Sequence, residues 1–175
     1  YSSNGSQGTY SFEVWEVDRP DVFAIGYEQE VSDGFPGPGA GNIEEPASQD
    51  IYTFNGLAGD EIYVDRIGGG CALRWDCRAP DGAMLFQNVS LCGADPGAFV
   101  LDQDGEYEIT CYSSNGGTGT YTFNIWTVNR PEVFPISYEQ EVSDGSVGAG
   151  SGNIEEPAAV DLYEFTGAIG DEVYF

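Results

Sequence analysis

Apolar and polar residues alternate along most of this chain with the period of two that is typical of strands half buried in a sheet. Residues 105–112 place Tyr107, Ile109 and Cys111 on one face, and residues 119–128 repeat the alternation. The short segment between them is rich in Ser, Asn and Gly, which favour tight turns. The pattern therefore predicts two strands joined as an antiparallel hairpin.

Similar segments recur through the chain, and no stretch shows the 3.6-residue period of a helix. Gly, Pro, Asp and Asn separate them. Leu73, Trp75 and Cys77 share one face of their segment, which predicts that Trp75 lies in the core. Many short alternating strands favour an all-β fold, an antiparallel β-sandwich of the jelly-roll or Greek-key type. The predicted strands lie at residues 22–31, 42–45, 50–55, 60–67, 71–78, 83–88, 97–102, 105–112 and 119–128.

The sequence repeats itself at a spacing of 111 residues, because residues 1–64 align without a gap onto residues 112–175 with 41 identical positions. Arg19-Pro20 and Arg130-Pro131 interrupt the alternation, since proline removes a donor from a strand ladder. We therefore predict tandem repeats with period 111. Residues 1–20 would be the last strand of a preceding repeat plus a linker. Residues 21–128 would form a complete β-sandwich. Residues 129–175 would be a second linker plus the first half of a following repeat.

The charge excludes several classes of protein. The chain has 30 Asp and Glu against five Arg, no Lys and no His, for a net charge of -25. Such a chain repels nucleic acid phosphates and anionic membrane surfaces, and no apolar run approaches the roughly 20 residues that span a bilayer. Without His or Lys, the usual partners of Ser, Thr and Cys nucleophiles are missing. We predict a protein that is not an enzyme, binds no nucleic acid and does not insert into a membrane.

The four cysteines form no C-x-x-C pair, so zinc-ribbon and thioredoxin-type sites are disfavoured. Their even number favours two disulfides in an oxidising compartment, outside the cell or at its surface, over four reduced core thiols. Cys71 and Cys92 border glycines at strand ends, whereas Cys77 and Cys111 lie on apolar faces. Among three connectivities we predict Cys71–Cys92 and Cys77–Cys111.

Carboxylates and two asparagines are the candidate binding and modification sites. Calcium prefers clustered oxygen ligands, and a jelly-roll could bring together five acidic residues: Glu28, Glu30, Asp33, Glu44 and Asp50. The alternative is a solvated acidic edge, and no cofactor is required. Asn4 and Asn88 each begin an N-x-S triplet, the acceptor pattern for N-glycosylation.

Two tryptophans lie next to the predicted linkers. Trp15 and Trp126 are out of phase with the apolar alternation that precedes them, just before Arg19-Pro20 and Arg130-Pro131. We predict that these residues pack at the joint between domains. A platform on which sugar rings stack is the alternative.

Several segments in order resemble the bacterial pre-peptidase C-terminal domain: Asp50 to Val64, Leu73-Arg74-Trp75, Pro80-Asp81-Gly82, Gly105-Glu106-Tyr107 and Gly119-Thr120-Tyr121. The segment 39–46 is similar to the version repeated in very large bacterial surface proteins. The resemblance implies a β-sandwich that is usually non-catalytic, appended to secreted enzymes or repeated in surface proteins. Relatives that resemble collagen-binding modules bind calcium, but Glu28-Gln29-Glu30 lies closer to Asp50 here than their E-x-E lies to the matching Asp.

We therefore predict a structural repeat of a long extracellular fibre, filament, stalk or adhesin, with beads joined end to end. Its partners would be further copies of the same repeat, supplied by covalent continuation or by strand exchange, because half-repeats alone expose edges and apolar faces. The alternative is a carbohydrate- or matrix-binding accessory module of a secreted protein, with or without calcium.

Overall fold

The structure, a computed structural model, describes residues 5, 7–14, 16, 19–128 and 132–174. These residues form strands and no helix, and so none that could cross a membrane. The strands are β1 (Asp21–Ala24), β2 (Asn42–Ile43), β3 (Gln49–Gly56), β4 (Glu61–Gly69), β5 (Leu73–Arg78), β6 (Met84–Ser90), β7 (Gly97–Val100), β8 (Gly105–Ser113), β9 (Gly119–Thr127), β10 (Glu132–Pro135) and β11 (Asp161–Glu164).

The predicted alternation is confirmed in the strands that carry it. In β8, Tyr107, Ile109 and Cys111 are buried and the residues between them are half-buried. In β5, Leu73 and Trp75 are buried in the same way. Each of the nine predicted segments overlaps one of β1 to β9. The all-β prediction is therefore correct.

Two sheets form the body of the fold, in the orders β1-β3-β8-β5-β6 and β2-β9-β4-β7. Neighbouring strands are antiparallel, with the exception of β1 and β3, which are parallel. The expectation of a purely antiparallel fold is wrong at this edge. A long connection that contains β2 separates β1 from β3, and a crossover of that length allows parallel pairing.

The two sheets pack face to face over one core. The ring of Trp75 in β5 lies 5.3 Å from Phe123 in β9, and Tyr52 in β3 lies 5.2 Å from the same ring. Toward the other edge, Phe86 in β6 and Phe99 in β7 are 5.8 Å apart. Trp75, Tyr52 and Phe123 are all fully buried. The architecture is a β-sandwich, and the prediction that Trp75 is a core residue is confirmed.

The first predicted strand, 22–31, is divided between the sheets. After β1 ends at Ala24, Glu28 takes a positive φ of 60° and the chain turns. Val31 then forms an isolated antiparallel bridge with Phe123 of β9, in the opposite sheet. The segment leaves β3 and reaches β9, so it closes one side of the sandwich instead of forming a single strand.

The predicted hairpin of β8 and β9 is also wrong. β8 pairs with β3 and β5, whereas β9 pairs with β2 and β4. Both edges of each strand are therefore occupied by other partners. The turn-rich segment between them carries the chain from one sheet to the other.

One of the two predicted disulfides is present. Cys71 and Cys92 are joined, with their Cα atoms 4.8 Å apart, whereas Cys77 and Cys111 are free and buried. The predicted Cys77–Cys111 bond is wrong. Cys111 of β8 lies opposite Trp75 and not opposite Cys77. Diagonal neighbours on paired strands are about 7–8 Å apart, too far for a disulfide.

Residues 132–174 repeat the local pairing found at the start of the sandwich. β10 pairs with β11 in parallel, with Glu132 opposite Asp161, and 111 residues earlier Asp21 lies opposite Asp50. Residues 7–14 belong to none of the described sheets.

Candidate functional site

An acidic pocket of about 370 Å³ lies where β1 and β3 begin. The parallel pairing brings Asp21 opposite Asp50 and so places two carboxylates side by side at this end of the sandwich. The lining consists of four acidic residues, one basic residue and two neutral polar residues: Asp21, Glu44, Glu45, Asp50, Arg19, Ser48 and Gln49.

Two glycines allow close approaches in the connection between β1 and β2, Gly39 to the pocket and Gly41 to the backbone of the connection itself. Gly39 has a φ of 88°, and a Cβ there would lie 2.6 Å from an Asp21 carboxylate oxygen. Gly41 has a φ of 71°, and a Cβ there would overlap the backbone of Ser32. Only glycine adopts this left-handed conformation without strain and leaves the space open.

A chain of hydrogen bonds runs from this loop to Asp50. The Gly41 N–H donates to the Tyr52 hydroxyl at 2.8 Å, and the Tyr52 and Tyr121 hydroxyls are 2.8 Å apart. The Tyr121 O–H donates to the Asp50 carboxylate, so the Tyr52 O–H is the one that donates to Tyr121. Tyr52 belongs to β3 and Tyr121 to β9. The network therefore joins the two sheets and reaches the pocket at Asp50.

Burial dominates the electrostatics of this network. Asp50 is 2% exposed, and the loss of solvent raises its pKa to about 6. The hydrogen bond from Tyr121 opposes that rise, while the nearby carboxylates of Glu44 and Asp21 add to it. Burial also raises the pKa of both tyrosines well above the usual range, so they stay protonated donors. Asp50 is thus a buried acid that changes its charge in mildly acidic solution.

A second acidic pocket lies where β10 and β11 begin. A cavity of about 260 Å³ is lined by Glu132, Glu155, Glu156 and Asp161, each 111 residues after its counterpart in the first pocket. Here the Tyr163 O–H donates directly to Asp161 at 2.8 Å. Among the described residues, no tyrosine stands beside Tyr163 as Tyr121 stands beside Tyr52.

The structure does not bring the five predicted calcium ligands together. Glu44 and Asp50 line the pocket, but Glu28 accepts a hydrogen bond from Thr127 at 2.6 Å, and Glu30 and Asp33 are exposed elsewhere. The cause is the crossing from β1 to β9, which carries Glu28 and Glu30 away. No group of three or more Cys, Asp or Glu within the described part of the chain is arranged to hold a metal ion. The five predicted ligands therefore do not surround one ion in the described residues. Calcium binding by any other arrangement is untested.

The structure describes three of the six residues that are predicted to pack at the joint between domains. Trp126 is half-buried within its own domain, and its Nε1–H donates to Asp65 of β4 at 3.0 Å. Arg19 lines the acidic pocket and Pro20 is exposed. Three other members of the predicted joint lie outside the described residues: Trp15, Arg130 and Pro131. Packing between domains at these positions stays a prediction.

One of the two glycosylation candidates lies among the described residues. Asn88 is exposed on β6, which is at the edge of its sheet, and has a positive φ of 54°. Asn4 lies outside the described residues. Modification of either stays a prediction.

Sequence reasoning missed the tyrosine network, although a signal was present. Asp50, Tyr52 and Phe54 alternate along β3, so they share the face that points into the core. An acidic residue at an inward position needs a hydrogen-bond donor. The same face alternation in β9 offers Tyr121 as that donor.

No protein-family model matches the chain, and neither does any curated protein. Among solved structures it is similar to the pre-peptidase C-terminal domain of a collagenase from Bacillus anthracis, at 17% identity and a TM-score of 0.45, over 62% of this chain and 98% of that one. It is also similar to PliG, a periplasmic inhibitor of g-type lysozyme, from Aeromonas hydrophila, at 14% identity and a TM-score of 0.43, over 62% of this chain and 99% of that one. These likenesses concern the fold, and no function is drawn from them.

Proposed function

We propose that this protein is a non-catalytic structural repeat of a long extracellular or cell-surface fibre, filament, stalk or adhesin, with beads joined end to end. The observation that carries the proposal is the recurrence of one parallel strand pair at a spacing of 111 residues, Asp21 opposite Asp50 and Glu132 opposite Asp161. A tandem array requires each bead to begin with the same pairing in the same register.

The path of the chain through the sandwich supports an end-to-end arrangement. Asp21, at the start of β1, lies opposite Asp50 near the start of β3. Thr127, at the end of β9, lies opposite Ile62 near the start of β4, which follows the end of β3. The chain therefore enters the bead at one pole and leaves it at the other.

The connection to the next strand pair is short. β9 ends at Thr127 and β10 begins at Glu132, which leaves only residues 128–131 between them. Five peptide steps span at most about 17 Å. A tether of this length keeps successive beads close and limits how far they swing apart.

The chemistry of the chain supports a passive role in an oxidising environment. The sequence has no His and no Lys, and its net charge is -25. Like charge on successive beads favours an extended array over lateral collapse. The Cys71–Cys92 disulfide suits an extracellular compartment. In this proposal the protein needs no cofactor.

Electron microscopy of the native material, together with the mass of the denatured chain, tests the proposal. We expect a row of beads with an axial repeat of about 35–45 Å, from the strand rise plus loops. Native material that consists of separate single beads would contradict it.

A second candidate, a carbohydrate- or matrix-binding module, is favoured by the outer face of the five-stranded sheet. A cavity of about 350 Å³ there is lined by polar and charged groups, among them Arg78 and Asp76 on β5, by the half-buried ring of Tyr112 and by the apolar side chains of Ile51 and Met84. Sugars are bound by such combinations of aromatic and polar groups. Calorimetric titration of the full chain with polysaccharides tests this candidate, and Arg78→Ala should abolish any heat of binding that arises at this face.

A further inference from the structure

An Asn-Gly pair lies in the turn that carries the chain from β8 to β9. Asn115 and Gly116 are both exposed, and Gly116 has a positive φ of 78°. Asparagine is among the thermally labile residues. A glycine that follows it leaves its own backbone nitrogen accessible, because it has no Cβ to shield that atom. The pair therefore has the composition and the exposure that spontaneous deamidation requires.

One hydrogen bond positions the Asn115 side chain for this reaction. The Gly117 N–H donates to the Oδ1 of Asn115 at 3.1 Å. The ring of atoms that this bond closes contains both the Asn115 Cγ and the Gly116 nitrogen, so it keeps the two reacting atoms near each other. The same N–H stabilises the negative charge that develops on Oδ1 when the nitrogen adds to Cγ. The turn thus supplies both proximity and a donor for the oxyanion.

The fold holds this turn from both sides. The Ser114 N–H and O–H both donate to the Ala72 carbonyl, at 3.1 and 3.2 Å. Gly117 lies so close to the same loop that a Cβ there would come within 2.6 Å of the Ala72 Cβ. Asn115 and Gly116 lie between these two fixed points and stay exposed. The folded sandwich therefore maintains the geometry of the turn.

We propose that Asn115 is a site of spontaneous deamidation in the folded protein. The Gly116 nitrogen loses its proton to a base and attacks the Asn115 Cγ. The Cγ–Nδ2 bond breaks, and the side-chain nitrogen leaves with that proton as ammonia. The resulting cyclic imide takes up one water molecule, which opens it at either carbonyl to give aspartate or isoaspartate. This modification would occur whether or not the repeat belongs to a fibre.

An identical dipeptide within the same chain provides a comparison. Asn55 is also exposed, but it lies in β3 opposite Glu106, and Gly56 lies opposite Gly105. Gly56 is buried, and a Cβ there would overlap the Leu101 side chain. Ring closure at Asn55 would have to pull Gly56 out of a packed strand. The fold therefore protects this asparagine and leaves Asn115 reactive.

The Asn-Gly pair of the turn also recurs in the repeat. Asn4-Gly5 precedes it by 111 residues, and Gly5 has a similar φ of 76°. Asn4 itself lies outside the described residues. Asn4 begins an N-x-S triplet, whereas Asn115 is followed by Gly116-Gly117, which is not an acceptor pattern for N-glycosylation. Deamidation at Asn115 therefore does not compete with a glycan.

The products change both the charge and the backbone of the turn. Either product adds one negative charge to a chain whose net charge is already -25. Isoaspartate also inserts an extra methylene into the main chain between Ser114 and Gly117, the two residues that contact Ala72. The isoaspartate form should therefore loosen the turn from the loop between β4 and β5.

Ageing of the full chain at mildly alkaline pH, both folded and in denaturant, tests the proposal. Peptide mapping by mass spectrometry measures the conversion of Asn115 and Asn55, and enzymatic methylation measures the total isoaspartate. Asn115→Gln is the matched variant, because it keeps the amide and adds a methylene that disfavours ring closure. Near-ultraviolet circular dichroism checks that the sandwich stays folded during ageing.

We expect Asn115 to convert at least as fast in the folded chain as in denaturant, to a mixture of isoaspartate and aspartate. The rate should rise with pH, because the Gly116 nitrogen must lose its proton. Asn55 should convert at least about tenfold more slowly in the folded chain than in denaturant, because β3 must first open locally. Asn115→Gln should clearly lower the total isoaspartate of the aged folded chain.

The proposal is overturned if Asn115 stays intact in the folded chain, or if folding slows its conversion as much as that of Asn55. It is also overturned if the product is aspartate without isoaspartate, since direct hydrolysis would then replace attack by the Gly116 nitrogen. Equal total isoaspartate in Asn115→Gln and the unaltered chain would contradict it as well.

Discussion

The Tyr121 hydroxyl, on the last strand of the sandwich, donates a hydrogen bond to the buried carboxylate of Asp50 at the start of β3. This contact fastens the two sheets together at the end of the sandwich where β1 and β3 begin. A buried carboxylate with its donor removed loses far more than the bond itself is worth, because its desolvation is no longer offset.

Tyr121→Phe should therefore lower the free energy of unfolding by about 1–3 kcal/mol. The loss should be larger at pH 7.5 than at pH 5.5, because protonated Asp50 tolerates burial better than the carboxylate does. Denaturant unfolding at both pH values measures it. Tyr10→Phe, the exposed counterpart at a spacing of 111, is the control and should leave unfolding of the sandwich unchanged in dilute solution. An equal loss in both variants would contradict the assignment.

The pKa of Asp50, raised to about 6, predicts a pH dependence of stability. Since the folded pKa lies above the unfolded one, this group's contribution is fully present below the unfolded pKa and is lost as pH rises through about 6. Lowering the pH from 7.5 to 5.5 should stabilise the sandwich by up to about 1 kcal/mol through Asp50. Asp50→Asn removes this titration, so its stability should change less over the same interval. The idea fails if both proteins respond alike.

Thiol chemistry should distinguish the two pairs of cysteines. Alkylation in denaturant without reductant should label Cys77 and Cys111 and leave a peptide that contains Cys71 linked to Cys92. Replacing Cys71 and Cys92 together by Ser should cost about 3 kcal/mol in the chain-entropy description of a loop of this size. Recovery of a Cys77–Cys111 peptide would contradict the pairing.

Salt should stabilise the folded chain by screening its own charge. With a net charge of -25, the melting temperature should rise with NaCl, since screening acts over about 8–10 Å near physiological ionic strength. We expect CaCl₂ at matched ionic strength to have the same effect, because the described carboxylates form no group that could hold a metal. An additional rise with calcium, lost in Glu44→Gln, would reveal a specific site at the acidic pocket.

The strands were predictable because period-two alternation is a local property. Tyr107, Ile109 and Cys111 mark β8 whatever its neighbours are. Which strands pair is not local: β8 and β9 are adjacent in sequence and look like a hairpin, yet each belongs to a different sheet. The Cys77–Cys111 prediction failed for the same reason, because a shared inward face does not determine which residues lie directly opposite.

The candidate site was less predictable than the strands. The sequence marks Asp50 as a metal ligand by its charge and by the segments that a jelly-roll could bring together, whereas burial and the Tyr121 hydroxyl determine its role. Glu28 belongs to one of those segments, but the crossing to β9 brings it to Thr127. The sheet that a connecting segment reaches depends on packing over the whole core, which no local pattern contains.

The parallel pairing of β1 with β3 has a mechanical consequence. Tension transmitted through Asp21 at one pole and Thr127 at the other pulls β1 lengthwise along β3. The hydrogen bonds between these strands would then bear the load together in shear, instead of opening one after another as in a peeled edge. A sandwich built in this way should resist stretching more than its number of hydrogen bonds suggests. Single-molecule pulling should therefore give a high rupture force for the sandwich, and a clearly lower one when Ile25→Pro removes the N–H that donates to the Thr53 carbonyl of β3 at 2.9 Å.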